Sequence, residues 1–265
     1  MNTFGTFGLP PRDLAAGNVD SLQLSPLQPG GARLEDLENE SLAGIVVLAP
    51  PGTIERRYTL AQALRALKTG AEFMVLAPKD KGGSRLAKEL RELGCEFEED
   101  AKRHHRICRG SKPAAGLLLE EALAEGQLRF DEALGMFTQP GVFSWNRIDP
   151  GSAFLVEHLP ELSGQGADFG SGIGFLSRHL LQSSLVKHLT LVEIDRRAVE
   201  CARKNVPERT TILWRDIREG EPVTRNLDFV VTNPPFHDGG AEDRELGARF
   251  LVRAAEALKK GGEAW

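Results

Sequence analysis

Gln165-Gly166-Ala167-Asp168-Phe169-Gly170-Ser171-Gly172-Ile173-Gly174 is the stretch that decides the fold. Its first five residues read as a short buried strand, and Phe175–Leu181 beyond it reads as a helix, so the glycines make a strand-to-helix turn. Gly170 and Gly172 allow positive φ and a close backbone approach to a ligand. The same rhythm continues outward. Downstream, His188–Glu193 is an apolar strand, Arg196–Asn205 a helix with Asp195 at its N-cap, Thr211–Trp214 a strand and Leu227–Thr232 a fourth. Upstream, Asp149-Pro150-Gly151-Ser152 opens a helix that runs to about Leu159 and is stopped by Pro160. Strands that alternate with helices specify a parallel sheet covered on both faces.

The first half carries the same pattern without the glycine loop. Gly44–Ala49 is a strand. Thr59 caps a helix with Leu60, Ala63, Leu64 and Leu67 on one face and Gly70 just past its end. Phe73–Leu76 is a second strand, and Ser84 caps a second helix with Leu86, Leu90 and Leu93 inward and Gly94 as its stop. Ser21–Leu24 alternates as a strand does. Ala49-Pro50-Pro51-Gly52 follows the first of these strands, and its prolines remove amide donors. Gly82-Gly83 reads as a turn more readily than as a phosphate loop. The expected fold is therefore α/β, with two tandem Rossmann-like domains of mostly parallel sheet. Residues 1–130 form a domain without a cofactor site and residues 131–265 the equipped one. Leu258–Trp265 reads as a helix end and the first residues of a fifth strand, so the second domain is expected to be truncated there.

Composition sets limits on function. The 265 residues are 41% hydrophobic and 27% charged, ordinary values for a globular protein. No apolar run reaches the ~18 to 20 residues of a membrane span, and the N-terminus lacks the pattern of a signal peptide, so a cytoplasmic protein is expected. Cys95, Cys108 and Cys201 have no pair spacing and read as buried free thiols rather than metal ligands. Net charge is -5, divided as -3 over residues 1–132 and -2 over 133–265. Neither half is basic enough for strong non-specific nucleic-acid binding. The local exception is Lys102–Lys112, with five Lys or Arg and no acid, which reads either as a solvated strand and loop or as a phosphate-contacting patch.

The chemistry gathers where strands end. A dinucleotide fingerprint wants glycine at the sixth position of GxGxxG, but here Phe175 stands there and glycine falls one residue early, at Gly174. Asp168 precedes the first glycine by two residues, and a carboxylate there would accept from an ammonium group and repel a pyrophosphate. Glu193 lies 23 residues after Gly170, near the position of a ribose-binding acid in such folds. S-adenosylmethionine fits these features. Gly170, Ser171, Gly172 and Gly174 would cradle it, Asp168 would take its ammonium and Glu193 its ribose diol. Ile194 would face adenine, with Asp216 and Ile217 at the adenine amino edge and plane. Glu193 reads alternatively as a helix-capping acid, and Asp216 as a turn residue.

Asn233-Pro234-Pro235-Phe236 closes the run Leu227–Thr232. An aromatic amino nitrogen is a poor nucleophile because its lone pair is conjugated with the ring. The Asn233 side-chain oxygen and the Pro234 carbonyl could hold its two hydrogens and aim the lone pair at a methyl donor. Pro234 and Pro235 stiffen the turn, and Phe236 could stack on a planar base. His237 could assist or cap the turn.

These residues resemble the class I methyltransferases that carry an Asn-Pro-Pro-aromatic motif. Val231-Thr232-Asn233-Pro234-Pro235-Phe236-His237-Asp238-Gly239 is more similar still to the ribosomal RNA small subunit methyltransferase C family. Pro140–Ser144, Ile148–Ser152 and Lys81–Gly83 resemble other segments of that family, although Pro150 departs from its pattern. The resemblance covers roughly residues 44–265. It implies two homologous domains of which the second binds S-adenosylmethionine. It further implies methylation of a guanine N2 in 16S ribosomal RNA, with ribosomal RNA or the small subunit as partner; no metal and a monomer are expected as well. Pro235, Phe236 and His237 would then meet the substrate, with Asn233, Pro234 and Phe236 catalytic, and the Lys102–Lys112 stretch would touch RNA. An adenine-N6 or protein-glutamine methyltransferase, a non-catalytic RNA-binding or assembly module, and a dehydrogenase are the alternatives. Phe175 and the Asn-Pro-Pro-Phe turn argue against the last.

Overall fold

A computed structural model of the chain describes residues 3–15, 21–206, 208–234, 237–238, 241–242 and 244–265, with the side chains of 237, 238, 241, 242 and 244 outside the description. The chain divides into two compact units, Met1–Gln127 and Leu128–Trp265.

The first unit holds β1 (Thr3–Phe7), β2 (Leu22–Gln23), β3 (Leu42–Leu48), α1 (Thr53–Ala66), β4 (Leu67–Pro78), α2 (Ser84–Glu92), β5 (Glu98–Lys102), β6 (His105–Ser111) and α3 (Glu120–Glu125). Its sheet runs β2-β1-β3-β4-β6-β5. The first four strands are parallel, and β6 is antiparallel to both β4 and β5. Leu86, Leu90 and Leu93 are buried as their spacing requires, each contributing about 2 kcal/mol of transfer free energy.

The sheet is mostly parallel, as expected, and three details were not read from the sequence. The first is a hairpin of β5 and β6 that makes one edge antiparallel. That hairpin carries most of the basic stretch, and its charges are largely neutralised. Arg106 pairs with Glu99 (3.3 Å), Arg109 with Asp100 (3.6 Å), Arg103 with Asp13 (2.8 Å) and Lys112 with Glu40 (3.3 Å). Four of its five cations thus face acids from neighbouring segments, which removes the charge surplus that a phosphate patch needs.

The third detail is that α1 begins at Thr53, not after Thr59, with Gly52 as its N-cap. Its first turn contains Arg56, which looks solvent-facing in sequence yet is 1% exposed. The Arg56 Nε and Nη2 donate to the two Glu89 carboxylate oxygens, both at 2.6 Å. Its Nη1 donates to the carbonyls of Pro50 (3.0 Å) and Pro51 (2.7 Å). Gly82, at φ +95°, lies where a Cβ would come within 2.1 Å of Arg56 Nη1. The Gly82-Gly83 turn therefore makes room for a guanidinium, not for a phosphate.

The second unit holds β7 (Arg129–Asp131), β8 (Met136–Thr138), α4 (Pro150–His158), β9 (Gly164–Phe169), α5 (Phe175–Leu180), β10 (Val186–Glu193), α6 (Arg196–Asn205), β11 (Thr210–Trp214), β12 (Leu227–Thr232), β13 (His237–Asp238), β14 (Ala241–Glu242), α7 (Arg244–Ala257) and β15 (Leu258–Ala264). Its main sheet is parallel, in the order β11-β10-β9-β12-β15. Phe169, Phe229, Val230, Val231, Leu189 and Leu191 are all buried, the signature of strands covered on both faces. Asp149 caps α4 by accepting from the Ser152 amide (2.9 Å), and Asp195 caps α6 by accepting from Arg197 N (2.9 Å). The three cysteines are buried free thiols, pushed up to about 11, 11 and 12 by burial. Among the described residues no helix is long and apolar enough to cross a membrane.

Candidate active site

The site follows from strand order. Parallel strands all end on the same edge of a sheet, and ligands of open α/β sheets bind outside that edge. Phe169 at the end of β9 is in register with Val192 on one side and Thr232 on the other, while Glu193 is in register with Trp214. One edge therefore presents, in sequence of strands, the turn after β11 with Asp216 and Ile217, Glu193 and Ile194, the glycine loop, and Asn233. The Thr232 hydroxyl ties the last two strands together by donating to the Phe169 carbonyl at 2.8 Å.

Gly170, Gly172 and Gly174 all have positive φ (72°, 53° and 88°), so the loop cannot be built from ordinary residues without strain. Nothing lies within 4 Å of a Cβ added at Gly172, so space above it is open. Gly174 instead packs against Ala202 of α6 and Val206 just past its end, and heads α5. The loop's amides are turned inward. Gly170 and Ser171 donate to the Val192 carbonyl (2.9 and 3.3 Å) and Gly172 to the Glu193 carboxylate (2.8 Å). A pyrophosphate would need those donors, so the loop is unsuited to a dinucleotide.

The buried acids have distinct surroundings. Burial pushes the Asp168 carboxyl up to about 6, against the stabilising bond from the Ser177 hydroxyl at 2.6 Å. Its Oδ1 and the Ser171 hydroxyl are buried without a hydrogen-bond partner among the described residues. An orphaned carboxylate oxygen in such a place suits a ligand that donates, as an ammonium does. Burial likewise pushes Glu193 up to about 7, opposed by the amides of Asp195 and Gly172. Backbone amides of Asp195, Gly172 and Ile194 all engage this carboxylate, and its remaining acceptor capacity suits a ligand hydroxyl. Asp216 differs: burial raises it, but bonds from Arg218 at 2.6 to 3.0 Å outweigh burial and hold it below the ordinary carboxylate range. Its carboxylate is already shared. Ile217 is buried and Ile194 half-buried, with the Ile194 carbonyl accepting from the Trp214 indole at 2.8 Å.

Asn233 sits across the loop in an open cleft. Gly170, Ser171, Gly172, Asp149, Ser152 and Asn233 line it. Glu193, Ile194, Asp216 and Ile217 lie outside that lining, at the neighbouring strand ends. Asn233 Nδ2 donates to Asp149 Oδ2 (2.8 Å) and Ser152 Oγ (2.9 Å). Pro234 is half-buried beside it. Pro235 and Phe236 lie outside the described residues, as does the side chain of His237, whose backbone begins β13.

Sequence reading missed the second wall of this cleft. Phe143, Arg147 and Ile148 line it from the segment before α4. The signals were the Asp-Pro-Gly-Ser helix start and the resemblance carried by Pro140–Ser144 and Ile148–Ser152. The helix start announces a cap, but its reach to Asn233, 84 residues away, has no local pattern. A repeat also went unread: Val46-Val47-Leu48-Ala49-Pro50-Pro51 in the first unit parallels Val230-Val231-Thr232-Asn233-Pro234-Pro235 in the second.

Residues 133–265 match the Methyltransferase small domain family. Ribosomal RNA small subunit methyltransferase C of Pseudomonas paraeruginosa (strain DSM 24068 / PA7) is 32% identical over 251 residues, covering 92% of this chain and 75% of that protein. The protein of that name from Stutzerimonas stutzeri (strain A1501) is 34% identical over 227 residues, covering 82% and 67%. The structure of the T. thermophilus 16S rRNA N2 G1207 methyltransferase, in complex with AdoMet and guanosine, superposes with a TM-score of 0.80 at 25% identity over 99% of this chain and 78% of that one. This chain belongs to the ribosomal RNA small subunit methyltransferase C family.

Proposed function

We propose that the chain is an S-adenosylmethionine-dependent methyltransferase that modifies the exocyclic N2 amino group of a guanine in 16S ribosomal RNA. The observation that carries this reading is the placement of Asn233 and the glycine loop in one cleft. Gly170, Ser171 and Gly172 would hold the donor's methionyl end and Gly174 would shape the loop. Asp168 would take the ammonium and Glu193 the ribose diol. Ile194 and Ile217 would flank adenine, with Asp216 at its amino edge. When bound, the donor supplies an electrophilic methyl group.

The chain's own residues do the rest by placement. Asn233 Oδ1 and the Pro234 carbonyl accept the two amino hydrogens and leave the nitrogen lone pair aimed at the donor. Such positioning is worth about 7 to 11 kcal/mol when reacting atoms are held in line. Pro235, Phe236 and His237 complete the substrate side, with Phe236 stacked on the base. Asn233 is no base at neutral pH, so the proton leaves to water. The first unit supports the chemistry of the turn, since the carbonyls of Pro50 and Pro51 there accept N–H bonds from a planar guanidinium. A monomer acting in the cytoplasm, without metal, on ribosomal RNA or the small subunit completes the proposal. Labelled methyl from S-adenosylmethionine should enter ribosomal RNA and not ribosomal protein; label in protein alone would sink it.

A pH dependence follows from Glu193 and Asp168. Both carboxyls are raised, so both are protonated at low pH and ionise as pH rises through about 6 to 7. The ionised forms accept from an ammonium or a diol more strongly than the protonated ones. Donor affinity measured by calorimetry should therefore rise roughly fivefold to tenfold from pH 6 to 7.5. The Glu193→Gln variant should bind more weakly and lose most of that slope; an unchanged slope would remove Glu193 from the donor site.

A further inference from the structure

The Asn233 side chain is held as well as placed. A terminal amide torsion is broad and roughly two-fold, so an unrestrained asparagine presents oxygen or nitrogen with little preference. Here both Nδ2 hydrogens have partners, Asp149 Oδ2 at 2.8 Å and Ser152 Oγ at 2.9 Å. An ionised carboxylate only accepts, so the reversed amide would set Oδ1 against Asp149 and lose a charge-assisted bond. No group among the described residues donates to Oδ1. The same Asp149 oxygen accepts from the Ser152 amide as the N-cap of α4. Both partners therefore belong to one rigid helix start, in the wall of the cleft that contains Asn233.

We propose that Asp149 and Ser152 are positioning residues that lock the Asn233 amide with Oδ1 turned to the substrate amino group. This rests on Asn233 as an acceptor for that group. The α4 cap would then set the hydrogen-bond polarity of the active site: two protein acceptors consume the amide's donors, so only its acceptor remains for the substrate. A further consequence concerns Asn233→Asp. That change sets a second carboxylate against Asp149, so it should be far more damaging than its size implies, and it should be relieved when Asp149 becomes Asn and can donate.

The test separates capping from locking. Asp149→Ser keeps a good N-cap but is too short to hold both partners. Ser152→Ala leaves the cap untouched. Both variants, Asn233→Asp and the double variant Asn233→Asp/Asp149→Asn are measured for methyl transfer to guanine, donor affinity and melting temperature. Side-chain amide exchange is followed in 15N-asparagine-labelled protein, where the signal pair missing from Asn233→Asp identifies Asn233. The expected result is kcat lower by about tenfold or more in Asp149→Ser, with donor affinity within about twofold. The Asn233 amide should exchange faster in both Asp149→Ser and Ser152→Ala. The double variant should recover about tenfold or more over Asn233→Asp alone. Unchanged exchange in both variants, or a double variant no better than Asn233→Asp, would overturn the proposal. A wild-type chain that transfers no methyl group to guanine would overturn the functional reading alone, because the exchange measurement still decides whether the amide is locked.

Discussion

Asn233→Ala is expected to lower the rate of methyl transfer by about a hundredfold or more, the size of effect that follows when a reacting group is no longer held in line. Donor affinity should stay within about threefold, because Asn233 faces the donor loop across the cleft and the donor-side acids stand at other strand ends. Melting should change little in comparison. The lost side chain is half-buried, and Asp149 still caps α4 through the Ser152 amide. Single-turnover transfer with calorimetry of donor binding separates the two effects. A parallel loss of transfer and donor affinity would mean that Asn233 supports the donor loop and takes no part in placing the amino group.

Removing one member of the Arg56–Glu89 pair is the second large effect. Both side chains are buried, with a two-pronged contact at 2.6 Å, and Arg56 also satisfies two proline carbonyls. Glu89→Ala would leave a guanidinium uncompensated in the interior, which costs about 3 to 5 kcal/mol. For a unit of this size that corresponds to a melting shift of roughly 10 °C or more. Arg56→Met combined with Glu89→Leu should be much milder, since replacing a buried pair by apolar groups of similar volume is often neutral. Thermal denaturation decides it. Equal losses in the single and double variants would mean that freeing the proline carbonyls costs as much as leaving the guanidinium uncompensated.

How much of this was legible in the sequence depends on how far apart the interacting residues lie. Arg196–Asn205 with its Asp195 cap and Leu227–Thr232 could be read from local periodicity and capping, because the signals sit within a few residues of each other. β1 was not read. Gly5 interrupts its pattern, and the reason for that glycine is Leu24, which would stand 2.7 Å from a Cβ there. Lys102–Lys112 could be read as a solvated strand and loop, but its pairing with β5 could not, because charged residues that face one another across strands imitate a polar loop. Arg56 and Glu89 lie 33 positions apart, and neither alone reveals that it is buried. The same limit applies in the active site. Glycine loop, acids and turn could be listed from their positions at strand ends, but the engagement of Asp216 by Arg218 and of Asn233 by Asp149 and Ser152 belongs to side-chain geometry.

The repeated Pro-Pro turn connects the two units in chemical terms. In the first unit alanine replaces the asparagine and an internal guanidinium occupies the turn carbonyls. In the second, asparagine stands at that position, and its amide nitrogen donates to Asp149 and Ser152.

Nucleoside analysis of 16S ribosomal RNA tests the central claim most directly. Small subunits from cells that lack the corresponding modification are incubated with the 265-residue chain and S-adenosylmethionine, and the RNA is digested and analysed by mass spectrometry. N2-methylguanosine, formed by the wild-type chain and abolished in Asn233→Ala, is the predicted result; methyladenosine, or no methylated nucleoside from protein that binds the donor, would contradict it.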